Sequence, residues 1–82
     1  MDSITANGFN RDWDGVYTYK YQTDRWHNGD YWIYHDSYYW YLTDSEYLYD
    51  DLHIKARMTF ARLLNPRGNY TGYGDNPDGE VL

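Results

Sequence analysis

The stretch Thr43–Leu64, TDSEYLYDDLHIKARMTFARLL, decides the fold class that the sequence predicts. It opens on Thr43-Asp44-Ser45-Glu46, where a threonine precedes a glutamate by three residues, which is the capping-box pattern of a helix N-terminus. It is followed by Asn65-Pro66-Arg67-Gly68, where proline cannot continue the helical hydrogen-bond ladder and glycine tolerates the turn. We therefore predict an α-helix over residues 44–64.

The predicted helix has two apolar faces when its residues are placed at intervals of about 100°. The broad face suits packing against a sheet and consists of Leu48, Tyr49, Leu52, Ala56, Phe60 and Leu63. The second, narrower stripe consists of Tyr47, Ile54, Met58 and Ala61. A helix packed only on a sheet has no use for the second stripe. Either a terminal segment of the chain folds over it, or another chain docks on it, a homodimer being one form.

The segment before the helix has the period-2 pattern of β-strands. Residues 15–21 alternate tyrosines with Val16, Thr18 and Lys20, which indicates a half-buried strand. Residues 31–35 and 38–42 form either two short strands joined by a turn at Asp36-Ser37 or one long strand with a bulge. With the helix, this predicts an α+β fold in which a small antiparallel sheet of three to four strands packs against one helix in the C-terminal half.

The length of 82 residues suits a single domain over residues 1–82. We expect residues 1–12 to form an N-terminal arm, 15–42 the aromatic-rich strands, and 65–82 a tail rich in Gly, Asn and Asp. The turn sequence Asn76-Pro77-Asp78-Gly79 allows a last hairpin strand through residues 80–82, with disorder as the alternative.

Aromatic residues make up 22% of the chain, with twelve Tyr and four Trp but only two Phe. They occur on both faces of the predicted strands, and each ring buries about 150–250 Å². Three or four rings on an uncovered face would exceed the ~300–600 Å² of the largest apolar patch on a typical monomer. We therefore expect something to cover this face. The predicted binding surface consists of Trp26, Trp32, Tyr34, Tyr39, Tyr41, Asp24, Asp30 and Asp36.

The charge balance indicates the kind of partner. Thirteen Asp and Glu against seven Lys and Arg give a net charge of -6, which opposes contacts with phosphates and makes direct nucleic-acid binding unfavourable. Because aspartates are interleaved with rings, our leading hypothesis is a small acidic protein-binding module whose partner has a basic surface. An inhibitor or nucleic-acid mimic is one form of it.

Two other classes of function remain open. Trp26, Trp32 or Tyr34 stacking on sugar rings, with Asp and Asn bonding hydroxyls, would make a small carbohydrate-binding domain. A fixed homo-oligomer with both apolar surfaces buried would make the chain a structural subunit.

The sequence offers little for catalysis or metal binding. It has no cysteine, nucleophile elbow or glycine-rich phosphate loop. Glu46, Asp50 and His53 would converge on one helix face, but Arg57 one turn further would oppose a cation. We predict no enzymatic activity, no catalytic residue, no metal site and no cofactor.

No basic-flanked apolar run opens the chain and no span reaches ~18–20 apolar residues, so we predict a cytoplasmic protein without a membrane segment.

Overall fold

The computed structural model describes residues 3–48 and 50–82 of the chain. Within them the regular secondary structure consists of eight β-strands and one short 3₁₀ turn at Asp51–His53 that precedes the sixth strand. The eight strands are β1 (Ser3–Asn7), β2 (Gly15–Lys20), β3 (Arg25–Asn28), β4 (Tyr31–His35), β5 (Trp40–Thr43), β6 (Ile54–Met58), β7 (Gly68–Gly72) and β8 (Gly79–Val81).

The strands form a closed barrel in which every strand pairs antiparallel with its neighbours in sequence. The barrel closes where β1 pairs with β8, with Ala6 opposite Val81 and Asn7 opposite Glu80. Thr5 and Leu82 extend this closure by exchanging two backbone hydrogen bonds of 2.9 and 2.7 Å. Closure matters because an open sheet would leave the N–H and C=O groups of two edge strands unpaired.

The barrel interior is packed mainly with rings and branched side chains. An eight-stranded barrel is just wide enough for side chains to fill it. The buried core consists of Ile4, Ala6, Phe9, Trp13, Tyr17, Ile33, Trp40, Leu42, Ala56, Met58, Tyr70 and Val81. The phenol hydroxyls of Tyr17 and Tyr70 donate to the carbonyls of Trp13 and Pro66, at 2.6 and 2.7 Å. Burial raises the pKa of both phenols, so each acts in the core as a neutral donor.

The predicted α+β fold is wrong, because the described residues contain no α-helix. The described residues of this stretch, 44–48 and 50–64, instead form a loop, β6 and a second loop. Thr43 is the last residue of β5 rather than a helix N-cap, and its hydroxyl donates to the Ser45 carbonyl at 2.7 Å. Asp50 caps only the short 3₁₀ turn, through the Leu52 amide.

The physical reason lies in the pattern of β6 and in its neighbours. Residues 54–58 alternate buried and half-buried side chains, which is the period of a strand. As a strand, this segment pairs with both β5 and β7. A helix here would satisfy its own backbone but leave those two strands as open edges. Pairing on both sides therefore outweighs the local helix signals.

The chain termini also differ from expectation. The expected N-terminal arm contains β1, which pairs with β2 and β8. The expected tail contains β7 and β8, with β8 following the predicted Asn76–Gly79 turn. Met1, Asp2 and Tyr49 lie outside the described residues. Within residues 3–48 and 50–82, no helix has the length and apolar character needed to cross a membrane.

Candidate binding site on the barrel wall

The outer face of β4 and β5 carries three rings of the predicted binding surface, those of Trp32, Tyr34 and Tyr41, and a loop of the same chain contacts this face at Tyr34. Residues 44–48 and 50–53, between β5 and β6, form this covering loop. The Tyr34 hydroxyl donates to the Ser45 carbonyl at 2.9 Å, and Thr43 donates to the same oxygen. Tyr34 is 4% exposed and Thr43 is fully buried. The protein's own loop therefore covers the Tyr34 ring.

Charged side chains attach the covering loop to the barrel at two places, and Arg25 and Lys20 form the first. The Arg25 guanidinium lies 4.4 Å from the Tyr34 ring centroid and 5.2 Å from that of Tyr47 in the loop. The Lys20 ammonium pairs with Glu46 at 2.8 Å. Together these contacts join β2 and β3 to the loop.

Asp44, at the start of the covering loop, forms the second attachment, to Lys55 of β6. Its carboxylate pairs with the His53 imidazole at 2.8 Å and with the Lys55 ammonium at 3.2 Å. Partial burial acts to raise the pKa of Asp44, but the hydrogen bonds from these two groups outweigh it and lower the pKa below its ordinary value. The Asp44 carboxylate therefore stays ionised at neutral pH.

A second cluster, at the β4–β5 turn, brings together three residues of the predicted surface. Asp36 accepts hydrogen bonds from the amides of Tyr38 and Tyr39 and from the Tyr41 hydroxyl, at 2.8, 3.0 and 3.0 Å. Burial opposes but does not cancel these bonds, which lower the pKa of Asp36. Burial, and then the bond to Asp36, raise the pKa of Tyr41. The Arg57 guanidinium lies 4.0 Å from the Tyr39 ring centroid.

The other residues of the predicted surface are dispersed. Trp26 packs against the core and lies 5.1 Å from the Tyr19 ring, while Trp32 is half-buried on the outer face of β4. Asp24 and Asp30 are exposed beyond opposite ends of β3. The structure thus unites Tyr39, Tyr41 and Asp36 but does not bring the eight predicted residues into one surface.

The stripe predicted on the helix is not a surface in the barrel. Ile54 and Met58 belong to β6 and are 4% and 2% exposed. Ile54 is buried opposite Thr43 beside a bulge, and Met58 is part of the core. Tyr47 and Ala61 are exposed in two different loops. The stripe depended on helical geometry and is lost with it.

A polar cleft of about 390 Å³ opens on the opposite part of the wall, along β7, β8 and β1. Its volume lies within the range of small-molecule sites. The residues that line it are Asn7, Gly8, Thr59, Asn69, Tyr70, Thr71, Asp78, Gly79 and Glu80. We call it the polar cleft.

Strand register explains why these polar side chains meet. Glu80 lies opposite Asn7 on one side and opposite Asn69 on the other. The Thr59 amide continues the row by donating to the Asn69 carbonyl at 2.9 Å. Their strand neighbours Ala6, Tyr70 and Val81 are core residues, so alternation places the polar side chains outside.

Most polar groups in the cleft already have a single partner. The Asn7 amide donates to Glu80 at 3.4 Å, and the hydroxyls of Thr59 and Thr71 are 2.8 Å apart. Asp78 accepts from the Gly72 amide at 2.8 Å. Amides, hydroxyls and carboxylates each have capacity for more than one hydrogen bond. The lining therefore presents donors and acceptors at close spacing without a cationic side chain.

The side chains considered as metal ligands from the sequence, Glu46, Asp50 and His53, contact charged or ionisable side chains instead. Glu46 pairs with Lys20, and His53 contacts Asp44 at 2.8 Å and Asp50 at 4.0 Å. Over residues 3–48 and 50–82, the structure shows no group of three or more His, Asp or Glu side chains able to hold a metal ion.

The residues of the polar cleft were missed because their segments were assigned to an arm, a helix and a tail. A signal was present, since Asn69-Tyr70-Thr71 and Glu80-Val81 alternate polar and apolar side chains as strands do. Each run is too short to be decisive alone. Asn7 and Glu80 are 73 positions apart and only barrel closure brings them together.

Comparison with known proteins returns no family model, no curated protein and no solved structure that matches this chain.

Proposed function

We propose that this chain is a small carbohydrate-binding module that holds a sugar in the polar cleft, without catalysis. The observation that carries the proposal is the lining itself, in which amide, hydroxyl and carboxylate side chains line about 390 Å³. Sugar hydroxyls are both donors and acceptors, and such a mixed lining can pair with both kinds.

The leading hypothesis from the sequence, an aromatic and carboxylate face for a basic protein, has less support. Tyr34 and Tyr41 are 4% and 7% exposed, so they offer little ring area to a partner. Asp36 is engaged by three hydrogen bonds in its own turn. The carbohydrate alternative therefore fits the geometry better, although through other residues than Trp26, Trp32 and Tyr34.

The cleft lies on a closed barrel, which makes it a better ligand site than a mobile surface loop would be. Asn7, Asn69 and Glu80, which line it, stand on three paired strands of a closed barrel. The strand pairing determines their backbone positions before a ligand arrives, and a preorganised site has a lower entropy cost of binding.

A glycan array followed by calorimetry on the best ligand tests the proposal. Asn69→Ala and Glu80→Ala should each weaken binding by about ten-fold, since one hydrogen bond to a charged or amide group contributes about 1–2 kcal/mol. Ser37→Ala, at an exposed position in the β4–β5 turn, is the control and should bind as the original protein does. Absence of binding to every glycan, or affinities unaffected by both cleft variants, would contradict the proposal.

A second candidate, a protein-binding or homo-oligomeric role, has one observation in its favour. Three loops at the same end of the barrel expose large apolar side chains, namely Tyr21, Tyr38, Phe60 and Leu64. Leu64 is 96% exposed, and exposed apolar groups near one another are typical of protein contacts. Sedimentation equilibrium tests self-association: a concentration-dependent mass that Phe60→Ser abolishes would favour this role, and a monomer at high micromolar concentration would count against it.

A further inference from the structure

Two carboxylates of the polar cleft have unused acceptor positions. Asp78 and Glu80 both line the cleft. They are two positions apart on the chain, so their Cα atoms are at most about 7 Å apart. Oδ1 of Asp78 accepts from the Gly72 amide, and Oε1 of Glu80 accepts from the Asn7 side chain. Within the described residues, the second oxygen of each carboxylate accepts no hydrogen bond.

These two carboxylates also lack a neutralising cation. Among the described residues, no lysine or arginine lines the cleft. Neither Asp78 nor Glu80 forms an ion pair within residues 3–48 and 50–82. Asp44 and Glu46 of the covering loop, by contrast, each pair with a lysine. Because like charges repel and an opposite charge between them is attracted to both, the cleft favours a cationic ligand.

The charge of a ligand therefore decides how well it is accepted. A neutral saccharide would displace water from both carboxylates without supplying a compensating charge, which costs free energy. An ammonium group supplies that charge together with three N–H donors, and charge-assisted hydrogen bonds are roughly twice as strong as neutral ones. A bound metal ion suits the cleft less well, since the part of the chain that the structure describes has no cluster of three His, Asp or Glu ligands.

We propose that the polar cleft selects a saccharide with a free amino group, such as a 2-amino-2-deoxy sugar, and that Asp78 and Glu80 bind its ammonium group. This inference rests on the proposed carbohydrate-binding function. The sugar hydroxyls bond to Thr59, Asn69 and Thr71, whose hydroxyl and amide groups both donate and accept. The same two carboxylates disfavour an acidic saccharide by charge repulsion.

Calorimetric titration of the whole chain with a glucosamine oligomer, and with the same oligomer after N-acetylation, tests the inference. The buffer is mildly acidic, so that the amines are protonated while the carboxylates stay ionised. N-acetylation keeps the sugar rings and their hydroxyls but removes the charge. The free-amine form should bind about ten- to one-hundred-fold more tightly, which is the contribution of a charge-assisted hydrogen bond. Added salt should reduce this preference, because it screens the attraction.

Two variants test whether the carboxylates cause the preference. Asp78→Asn and Glu80→Gln each remove one charge and keep the shape of the side chain. Each should reduce the ratio of the two affinities, and the double variant should bring this ratio close to one. Asp30→Asn is the matched control, because it removes the same charge from an exposed turn between β3 and β4 and should keep the preference.

The outcomes separate this inference from the proposed function. Equal affinity of the original protein for both oligomers would overturn amino-sugar selection and leave carbohydrate binding in place. A preference that survives in the double variant would show that the acetyl group is rejected for its bulk, and would overturn the role of the carboxylates. Binding of neither oligomer overturns the inference alone if other glycans bind on the array, and both proposals if none does. Circular dichroism of each variant separates loss of binding from loss of fold.

Discussion

Removing the two hydroxyls that meet at the Ser45 carbonyl tests whether the covering loop is held as the structure shows. Tyr34→Phe and Thr43→Val each delete one donor and keep the ring or the β-branched shape. The double variant deletes both. The region matters for function, because detachment of this loop would expose the aromatic face of β4 and β5.

The expected costs follow from the number of donors left to that carbonyl. A single deletion leaves the oxygen with one hydrogen bond and should destabilise the protein by about 1 kcal/mol. The double deletion leaves it with none, which adds a desolvation penalty of about 1–3 kcal/mol for a buried acceptor. Ser45 is only half-buried, so the lower figure applies. The double variant should lose about 3 kcal/mol, with a coupling of about 1 kcal/mol between the sites.

Urea unfolding followed by circular dichroism measures all three variants. With a slope of about 1–3 kcal/mol/M for a small domain, each single change should lower the midpoint by roughly 0.3–1 M. Tyr38→Phe is the control, because Tyr38 is 69% exposed and a surface change should stay within about 0.5 kcal/mol. Strict additivity of Tyr34→Phe and Thr43→Val would show that the hydroxyls do not share an acceptor and would refute the proposed attachment of the loop.

Three further predictions concern the core, a tight turn and acid stability. Leu42→Ala, at a fully buried core position, should lower the free energy of unfolding in urea by about 2–5 kcal/mol. Leu64→Ala, at a position that is 96% exposed, is the control and should change this free energy little. Similar losses for the two variants would contradict the placement of Leu42 inside the barrel. Gly72→Ala would place its Cβ against the backbone carbonyl of Asn76 in the β7–β8 turn. The variant should therefore be less stable by about 1–3 kcal/mol. An unchanged melting temperature would refute the close approach of Gly72 to Asn76. Because the pKa of Asp44 is lowered on folding, this carboxylate stabilises the protein above the unfolded pKa of about 3.9, and the stabilisation is lost as pH falls through the lower folded pKa. Asp44→Asn should therefore reduce the acid sensitivity of the urea midpoint between pH 5 and 2. Identical pH profiles of the variant and the original protein would contradict this.

The sequence alone was informative where structure is local. Alternation over residues 15–21 predicted β2, and residues 31–35 coincide with β4. Between β3 and β4 the chain turns at Asn28-Gly29, a dipeptide typical of tight hairpin turns, and Gly29 has a positive φ of 60°. These features depend on side chains within a few positions of each other, which is why the sequence reveals them.

The site was predicted less well than the strands. Tyr39, Tyr41 and Asp36 lie together because the β4–β5 turn joins them locally. The polar cleft takes residues from β1, from the loop after β6, and from β7 and β8. No sequence pattern connects Asn7 with Glu80, so its composition could not be read from the chain.

By itself, the sequence determined an acidic, ring-rich chain, the strands β2 and β4 and the turn before β8, since these follow from composition and from short-range patterns. Tertiary structure decided the conformation of residues 44–64, where a good capping box competes with a five-residue alternation at 54–58. The strand prevails because β5 and β7 both need a partner for their backbone groups, a demand that arises only once the barrel closes. The same closure creates the polar cleft, because it brings Asn7 of β1 beside Glu80 of β8.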